Sequence, residues 1–564
     1  MIDIALDHGG ESSEDVIANL NISDPEVPSL RPELIYDQST VSRRLALCST
    51  EKARALVDYH LAMKLAFLPI AVISTRSESS LSVIVSFEAS PNDIKAIEFA
   101  TGLNLIIDYE HREAITQAIF LAYHQRQEPL NMAITRAESE QRKLPADFVI
   151  STATQADQAI PNLLNLLLDQ AICTRTSDIH IEPLDNCYRI RFRQDGILIE
   201  QENLSISAET GAALFRRIRV LSDLDITRTA LSQEGGFLYE QKPYSMRIRV
   251  SILSLHHGEK AVLRILDNNF LSQLQGLGNL NKLLSLGLDN EQAKMLELAL
   301  ASKSGTLLFV GPTGSGKSTL LYACLNILND NSINICTIED PVERVIRGIC
   351  QGEIDDKCGR DYDTLLRDLL RQDPDVIMLG EIREKKTADT ALSAGLTGHL
   401  VLSTLHTGNC IESVFRLLQF NVAIELIITS VKLIVAQRLV RKNCSHCLEE
   451  AILNPYLRYL LGLNESQPVF QSRGCEQCSG RGYQDRIGVF EILPITRQLQ
   501  DFLVTTHNNK SLTMSRLQQM AIENGYRSLN HSLRSMLLKS IISPAVALET
   551  VGISPTIFNC ERSQ

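Results

Sequence analysis

The run Leu307-Leu308-Phe309-Val310-Gly311-Pro312-Thr313-Gly314-Ser315-Gly316-Lys317-Ser318 constrains the fold more than any other part of the chain. An unbroken apolar stretch leading into a glycine-rich loop reads as a strand buried on both faces, and such strands belong to parallel sheets covered by helices. The loop has the spacing G-x-x-x-x-G-K-[ST], and the apolar segment Thr319 to Leu328 behind it predicts a helix. Glycines at 311, 314 and 316 let the backbone fold back so that successive N–H groups and the helix N-terminus face a phosphate. Lys317 neutralises outer phosphates and Ser318 is placed to hold Mg²⁺. The expected nucleotide-binding residues are therefore Gly311, Pro312, Thr313, Gly314, Ser315, Gly316, Lys317, Ser318 and Thr319.

Apolar strands alternate with helical patterns from Thr306 to Leu402, which predicts a parallel sheet wrapped by helices. Asp375 to Glu381 reads as a strand ending in a carboxylate. Ligands of parallel sheets sit at the carboxyl ends of the strands, so Glu381 is expected near Mg²⁺ or its water shell. Thr337-Ile338-Glu339-Asp340-Pro341-Val342-Glu343 supplies a second acidic strand end, where one carboxylate can orient or deprotonate an attacking water. Position alone does not choose among Glu339, Asp340 and Glu343. His399 and His406 bracket Leu400 to Leu405 and are expected at opposite ends of one strand.

The 564 residues, 44% apolar and 22% charged, suffice for several packed domains. A formal charge of −12 opposes attraction to nucleic acid and to anionic lipid. The acidic start (Asp3, Asp7, Glu11) lacks the basic-then-apolar pattern of a secretory signal. Leu426 to Val440, interrupted by Lys432, Gln437 and Arg438, falls short of the ~20 residues needed to cross hydrocarbon. A cytoplasmic protein that meets membranes only through partners is expected.

Residues 1–38 read as a mobile arm, and 39–126 as a small α/β N-terminal domain containing the β-rich run Ser80 to Ser86. Residues 127–150, with Arg136, Glu138, Glu140, Arg142 and Lys143 between Pro129 and Pro145, read as a linker. In 151–270, apolar residues from Ile160 to Ile172 recur at helical spacing before period-two runs at 178–182 and 188–193. The strand Met246 to Ile252 sets Arg247 and Arg249 on its polar face. Residues 271–440 hold the phosphate loop and its sheet, and 486–564 read as a C-terminal helical subdomain.

Of thirteen cysteines, nine are scattered singly and four form the pairs Cys444-x-x-Cys447 and Cys475-x-x-Cys478. Two such knuckles close a tetrahedral thiolate shell around Zn²⁺, a structural site because four thiolates leave no open position. A zinc-knuckle insertion over 441–485 is expected, with His446 outside the shell.

Four blocks make the chain resemble the secretion ATPase superfamily, specifically type II secretion ATPases and type IV pilus assembly ATPases, over about residues 150 to 490. They are Ser177-Asp178-Ile179-His180-Ile181-Glu182-Pro183, the phosphate loop, the acidic box with the Glu381 strand, and Thr397-Gly398-His399 through His406-Thr407. The resemblance implies a RecA-like P-loop ATPase core preceded by an α+β, PAS-like domain. It also implies a homo-hexamer that hydrolyses ATP to drive pilus or pseudopilus assembly with an inner-membrane platform protein. It makes Glu343 the catalytic base, puts His399 and His406 near the nucleotide, and sends Arg249 and Arg264 from the preceding domain toward the phosphates. The family's N-terminal domain docks on the platform and sometimes binds a cyclic dinucleotide, for which residues 39–126 carry no motif. Gly408, Glu384, Ala230 and Ser232 depart from the family's usual Asn, Asp, Arg and Pro. The departures at Ala230, Ser232 and Gly408 motivate an alternative, a low-turnover nucleotide-bound scaffold of the same machinery. A nucleic-acid translocase is disfavoured by net acidity and by the lack of interleaved aromatic and basic residues.

Overall fold

The computed structural model describes residues 41–552 except 43–44, 47, 75–78, 125–126, 142–158, 242–243, 268–276 and 356–357. The arm expected at 1–38 and residues 142–150 of the expected linker lie outside the described residues. The chain divides into two units, the first ending at Asn269 and the second beginning at Phe270.

In the first unit, β1 (Phe67–Ser74), β2 (Ser79–Ser86) and β3 (Asn104–Glu110) form a small mixed sheet. Six further strands form an antiparallel sheet of order β6-β5-β4-β9-β8-β7. They are β4 (Thr176–Pro183), β5 (Cys187–Gln194), β6 (Ile197–Ser207), β7 (Gln233–Gln241), β8 (Tyr244–Leu255) and β9 (Gly258–Asp267). Strand alternation gives this sheet one apolar face, with Ile179, Ile181, Phe192, Ile248 and Leu263 buried. Its other face is charged. There Glu182 is gripped by Arg189 (3.0 Å), Arg191 (2.7 Å) and Lys260 (2.9 Å). Burial opposes ionisation of Glu182, yet the donors from Arg191, Lys260 and Arg189 outweigh it and hold the carboxyl down to about 2.

One expectation fails in this unit. Residues 127–141, read as the start of a linker, form the helix Gln127–Gln141, which buries Leu130, Ile134 and Ala137 in the same core as Leu163 and Leu164. The i, i+4, i+7 spacing of these three is an amphipathic signal that the surrounding charges obscured. Hydrophobic packing is therefore continuous through both parts of the unit.

The second unit is built on a seven-stranded sheet of order β12-β11-β13-β14-β10-β15-β18. Its strands are β10 (Gly305–Val310), β11 (Ile335–Glu339), β12 (Cys350–Glu353), β13 (Val376–Leu379), β14 (Leu400–Leu405), β15 (Val431–Asn443) and β18 (Tyr483–Pro494). All are parallel but β18, which runs antiparallel to β15. Every residue of β10 is buried. Leu308 and Val310 join one hydrophobic core and Leu307 and Phe309 the other, so helices cover both faces. Fully burying each such side chain is worth about 2 kcal/mol, which fixes the strand's register and hence the loop that follows it. The short pair β16 (Leu448–Glu450) and β17 (Phe470–Ser472) lies in the excursion between β15 and β18. Residues 486–494, expected at the head of a helical subdomain, instead belong to β18, whose pairing with β15 reaches from Leu433↔Pro494 to Asn443↔Tyr483. Among the described residues no helix is long and apolar enough to cross a membrane.

Candidate active site and metal centre

The loop after β10 ends at Gly316, which opens the helix Lys317–Leu328 and has no side chain to cap it, so the first-turn N–H groups remain available to an anion. Gly311 and Gly316 have φ of 149° and 89°. A Cβ at 311 would lie 2.6 Å from the Gln437 carbonyl oxygen, and one at 316 would lie 2.7 Å from Gln437 Nε2. The loop therefore nests against β15 as glycine alone permits. Lys317 Nζ donates to the carbonyls of Gly311 (2.7 Å) and Pro312 (2.9 Å), curling the ammonium into the loop. Burial pulls Lys317 down to about 8, opposed by the Glu381 carboxylate and reinforced by Arg438. Ser318 is exposed, and buried Ser315 Oγ has no partner among the described residues. A phosphate chain fits this cradle: it offers acceptors to the orphan N–H groups, to Ser315 and to Lys317.

The carboxyl ends of β11, β13 and β14 lie along the same edge of the sheet as this loop. Glu381, two residues beyond β13, is mostly buried and pairs with Arg383 and with His406 Nε2 (3.2 Å). Arg383 also reaches Asp340 (3.3 Å). Glu339 is 4% exposed and fully engaged: it accepts from Tyr322, from Thr337 Oγ1 (2.6 Å) and from Gln351 Nε2 (2.9 Å). Glu343 is half-buried, and no ion pair or side-chain hydrogen bond holds its carboxylate among the described residues. Spacing left three acidic candidates open; the contacts separate a structural carboxylate from an available one. A cleft of about 570 Å³ beside the loop tip is lined by Pro312, Thr313, His406, Glu412, Arg416 and Arg438. Sequence reasoning missed Tyr322, Gln351, Arg383, Gln437 and Arg438, because nothing in their spacing marks them and only the sheet order gathers them.

His399 is not brought to the phosphate loop. Leu400 pairs with Gly305 and Leu405 with Val310, so His399 lies at the strand end opposite the loop, roughly 20 Å from His406. Its Nδ1 contacts the Ala394 carbonyl at 3.0 Å. Arg249 and Arg264 belong to the first unit and are direct register partners on β8 and β9. Like charges opposite one another repel. Here Asp178 pairs with Arg264 (2.8 Å) and Glu234 with Arg249 (3.2 Å), while both guanidinium groups stay about half exposed.

The four paired cysteines converge. Sγ separations are 3.8 Å for Cys444–Cys475, 3.9 Å for Cys447–Cys478 and 3.7 Å for Cys475–Cys478, and all four sulfurs lie within 4.8 Å of one another. Four thiolates about 2.3 Å from a central ion stand about 3.8 Å apart, so the donor set fits Zn²⁺. Backbone N–H groups of Cys475 (3.1 Å) and Gly482 (3.2 Å) point at Cys478 Sγ and favour its thiolate. His446 is outside the set. Because the knuckles sit where β15 ends and β18 begins, losing the ion should loosen residues 440–485 first. Elemental analysis of the parent is expected to give about one zinc per chain, and Cys478→Ser is expected to lose that zinc and to raise amide exchange over that segment. Unchanged exchange protection in a zinc-free variant would contradict a structural role.

The family model described as "Type II/IV secretion system protein" matches residues 153–544. The chain is 37% identical over 390 residues to the type II secretion system protein E of Klebsiella pneumoniae, covering 69% of this chain and 75% of that protein. It is 34% identical over 475 residues to the type IV pilus assembly ATPase PilB of Myxococcus xanthus, covering 81% and 80%. Among solved structures, the Legionella pneumophila ATPase DotB aligns with a TM-score of 0.52 at 20% identity, over 73% of this chain and 98% of that one, a likeness of fold.

Proposed function

The chain belongs to the type II/IV secretion system protein family, and we propose on that basis that it is an ATP-hydrolysing motor of type II secretion or type IV pilus assembly, with Glu343 activating the attacking water. The observation that carries the residue-level reading is the division of labour in the acidic box: the oxygens of Glu339 are occupied, while Glu343 stands available near the end of the same strand. In this reading the loop N–H groups bind the phosphates, and Lys317 leaves the Gly311 and Pro312 carbonyls to meet them. Glu343 accepts the proton of the water it orients. Ser318 and Glu381 would hold Mg²⁺, whose charge offsets that of the outer phosphates. His406 orients Glu381.

The motor works as a ring of six at the cytoplasmic face of the inner membrane, acting on a membrane-embedded platform protein. Arg249 and Arg264 supply positive charge to the transferring phosphoryl group in that assembly, so that hydrolysis depends on the orientation of the preceding domain. Their half-exposed guanidinium groups on one sheet face support this. The Arg249–Glu234 pair is exposed at both ends, and such pairs are worth about 1 kcal/mol or less. Arg249→Ala should therefore leave thermal stability and nucleotide affinity near those of the parent while lowering ATP turnover by about 10³-fold, the scale on which arginines act in other phosphoryl transfers. Turnover within twofold of the parent would remove the arginine from the mechanism.

A further inference from the structure

Two cysteines without a role in this reading are register partners in the sheet of the second unit: Cys336 on β11 pairs with Cys350 on β12. Side chains of registered partners leave the same face of the sheet. Neighbouring strands lie about 4.8 Å apart, inside the ~4.4–6.8 Å Cα range that a disulfide spans. Strand β12 is the sheet edge, where Cys350 is exposed, whereas Cys336 is 5% exposed. One thiol is thus open to a solvent oxidant and the other is shielded behind it. Burial and the neighbouring Cys350 push the Cys336 thiol up to about 11, so it stays protonated and does not react first.

The chain between the two cysteines carries Glu343. Gln351, next to Cys350, donates through Nε2 to Glu339 (2.9 Å) and to the Arg344 carbonyl (2.8 Å), and accepts from Ile346 N–H (2.7 Å). Closing a disulfide must draw the two Cβ atoms to about 3.8 Å, closer than the strand spacing. That movement reaches both sides of Glu343 through Gln351.

We propose that Cys336 and Cys350 form a reversible disulfide that restrains the Glu343 segment and slows ATP hydrolysis, making the motor responsive to low-molecular-weight disulfides. The effect on turnover rests on Glu343 being the base; the cross-link does not. The Cys350 thiolate attacks one sulfur of the small disulfide, whose S–S bond breaks and releases one thiolate. Cys336 then gives its proton to water, and its sulfur attacks Cys350 Sγ, releasing the second small thiol. Two protein thiols are oxidised by two electrons and one small disulfide is reduced to two thiols.

The test treats the full-length, zinc-loaded, reduced protein with oxidised glutathione and follows intact mass, unreduced tryptic peptides and turnover together. Trypsin cuts at Arg344 and Arg347, so the disulfide links two peptides. The expected result is loss of two hydrogens, a Cys336–Cys350 linked peptide, and turnover lowered several-fold and restored by dithiothreitol. Cys350→Ser, an exposed substitution, and Cys336→Ser should both keep basal turnover and lose the response. A stable mixed disulfide at Cys350, or a link from Cys350 to Cys358, would overturn the proposal. A Cys336–Cys350 link that leaves turnover unchanged would overturn the coupling to Glu343. If the reduced protein hydrolyses no ATP and yet forms the link, the functional reading fails and the thiol pair stands.

Discussion

Glu343→Gln is expected to lower ATP turnover by at least about 100-fold while ATP binding persists, since the amide keeps the side chain's shape but cannot take the water's proton, and general bases contribute about 10²–10⁴. The counterpart is Glu339→Gln. Glu339 accepts from Tyr322, Thr337 and Gln351 in a buried setting, so an amide there turns an N–H toward a donor and leaves a buried group unsatisfied. That change should cost about 1–3 kcal/mol of stability. The two variants thus separate by readout: Glu343→Gln melts like the parent and does not turn over, whereas Glu339→Gln melts early. If Glu339→Gln alone stops hydrolysis at full stability, the base is misassigned.

Lys317→Ala is expected to reduce turnover by about 10²–10³-fold or more, the scale seen on removal of one preorganised donor from developing charge, and to weaken ATP binding as well. The fold should survive. Burial places the ammonium's pKa near 8, below its ordinary 10.5, so the charge costs the folded state stability at neutral pH, and that cost fades as pH rises from about 8 to 10.5. Removing the group therefore removes a penalty along with its two hydrogen bonds to loop carbonyls. The same shift predicts a pH effect on the parent: phosphates favour the charged form, so ATP affinity should fall as pH rises above about 8. Calorimetric binding curves across that range check the sign, and affinity that rises with pH would contradict it.

Features set by local sequence are legible in the sequence itself. The buried strand, phosphate loop and following helix occupy consecutive residues, and the positive φ angles within that segment fall on Gly305, Gly311, Gly314 and Gly316. The cysteine pairs were readable for the same reason, since three-residue spacing puts two sulfurs on one knuckle. Features set by sheet order were not. Glu339 and Glu343 look alike in sequence, and what tells them apart is Tyr322 from the helix after the loop and Gln351 from the edge strand. The two histidines show the limit of reading a resemblance as proximity: a six-residue strand carries His406 to Glu381 and holds His399 at the far end. The helix Gln127–Gln141 was hidden by composition, because charges at 136, 138 and 140 drew attention from the buried stripe of Leu130, Ile134 and Ala137.

Steady-state phosphate release from ATP by the purified full-length chain, followed across protein concentration alongside sedimentation, tests the account most directly. A ring motor predicts turnover per chain that rises as hexamers form and is lost with Lys317→Ala at every concentration. Full turnover by a sedimenting monomer, or hexamers that bind ATP and release no phosphate, would contradict it.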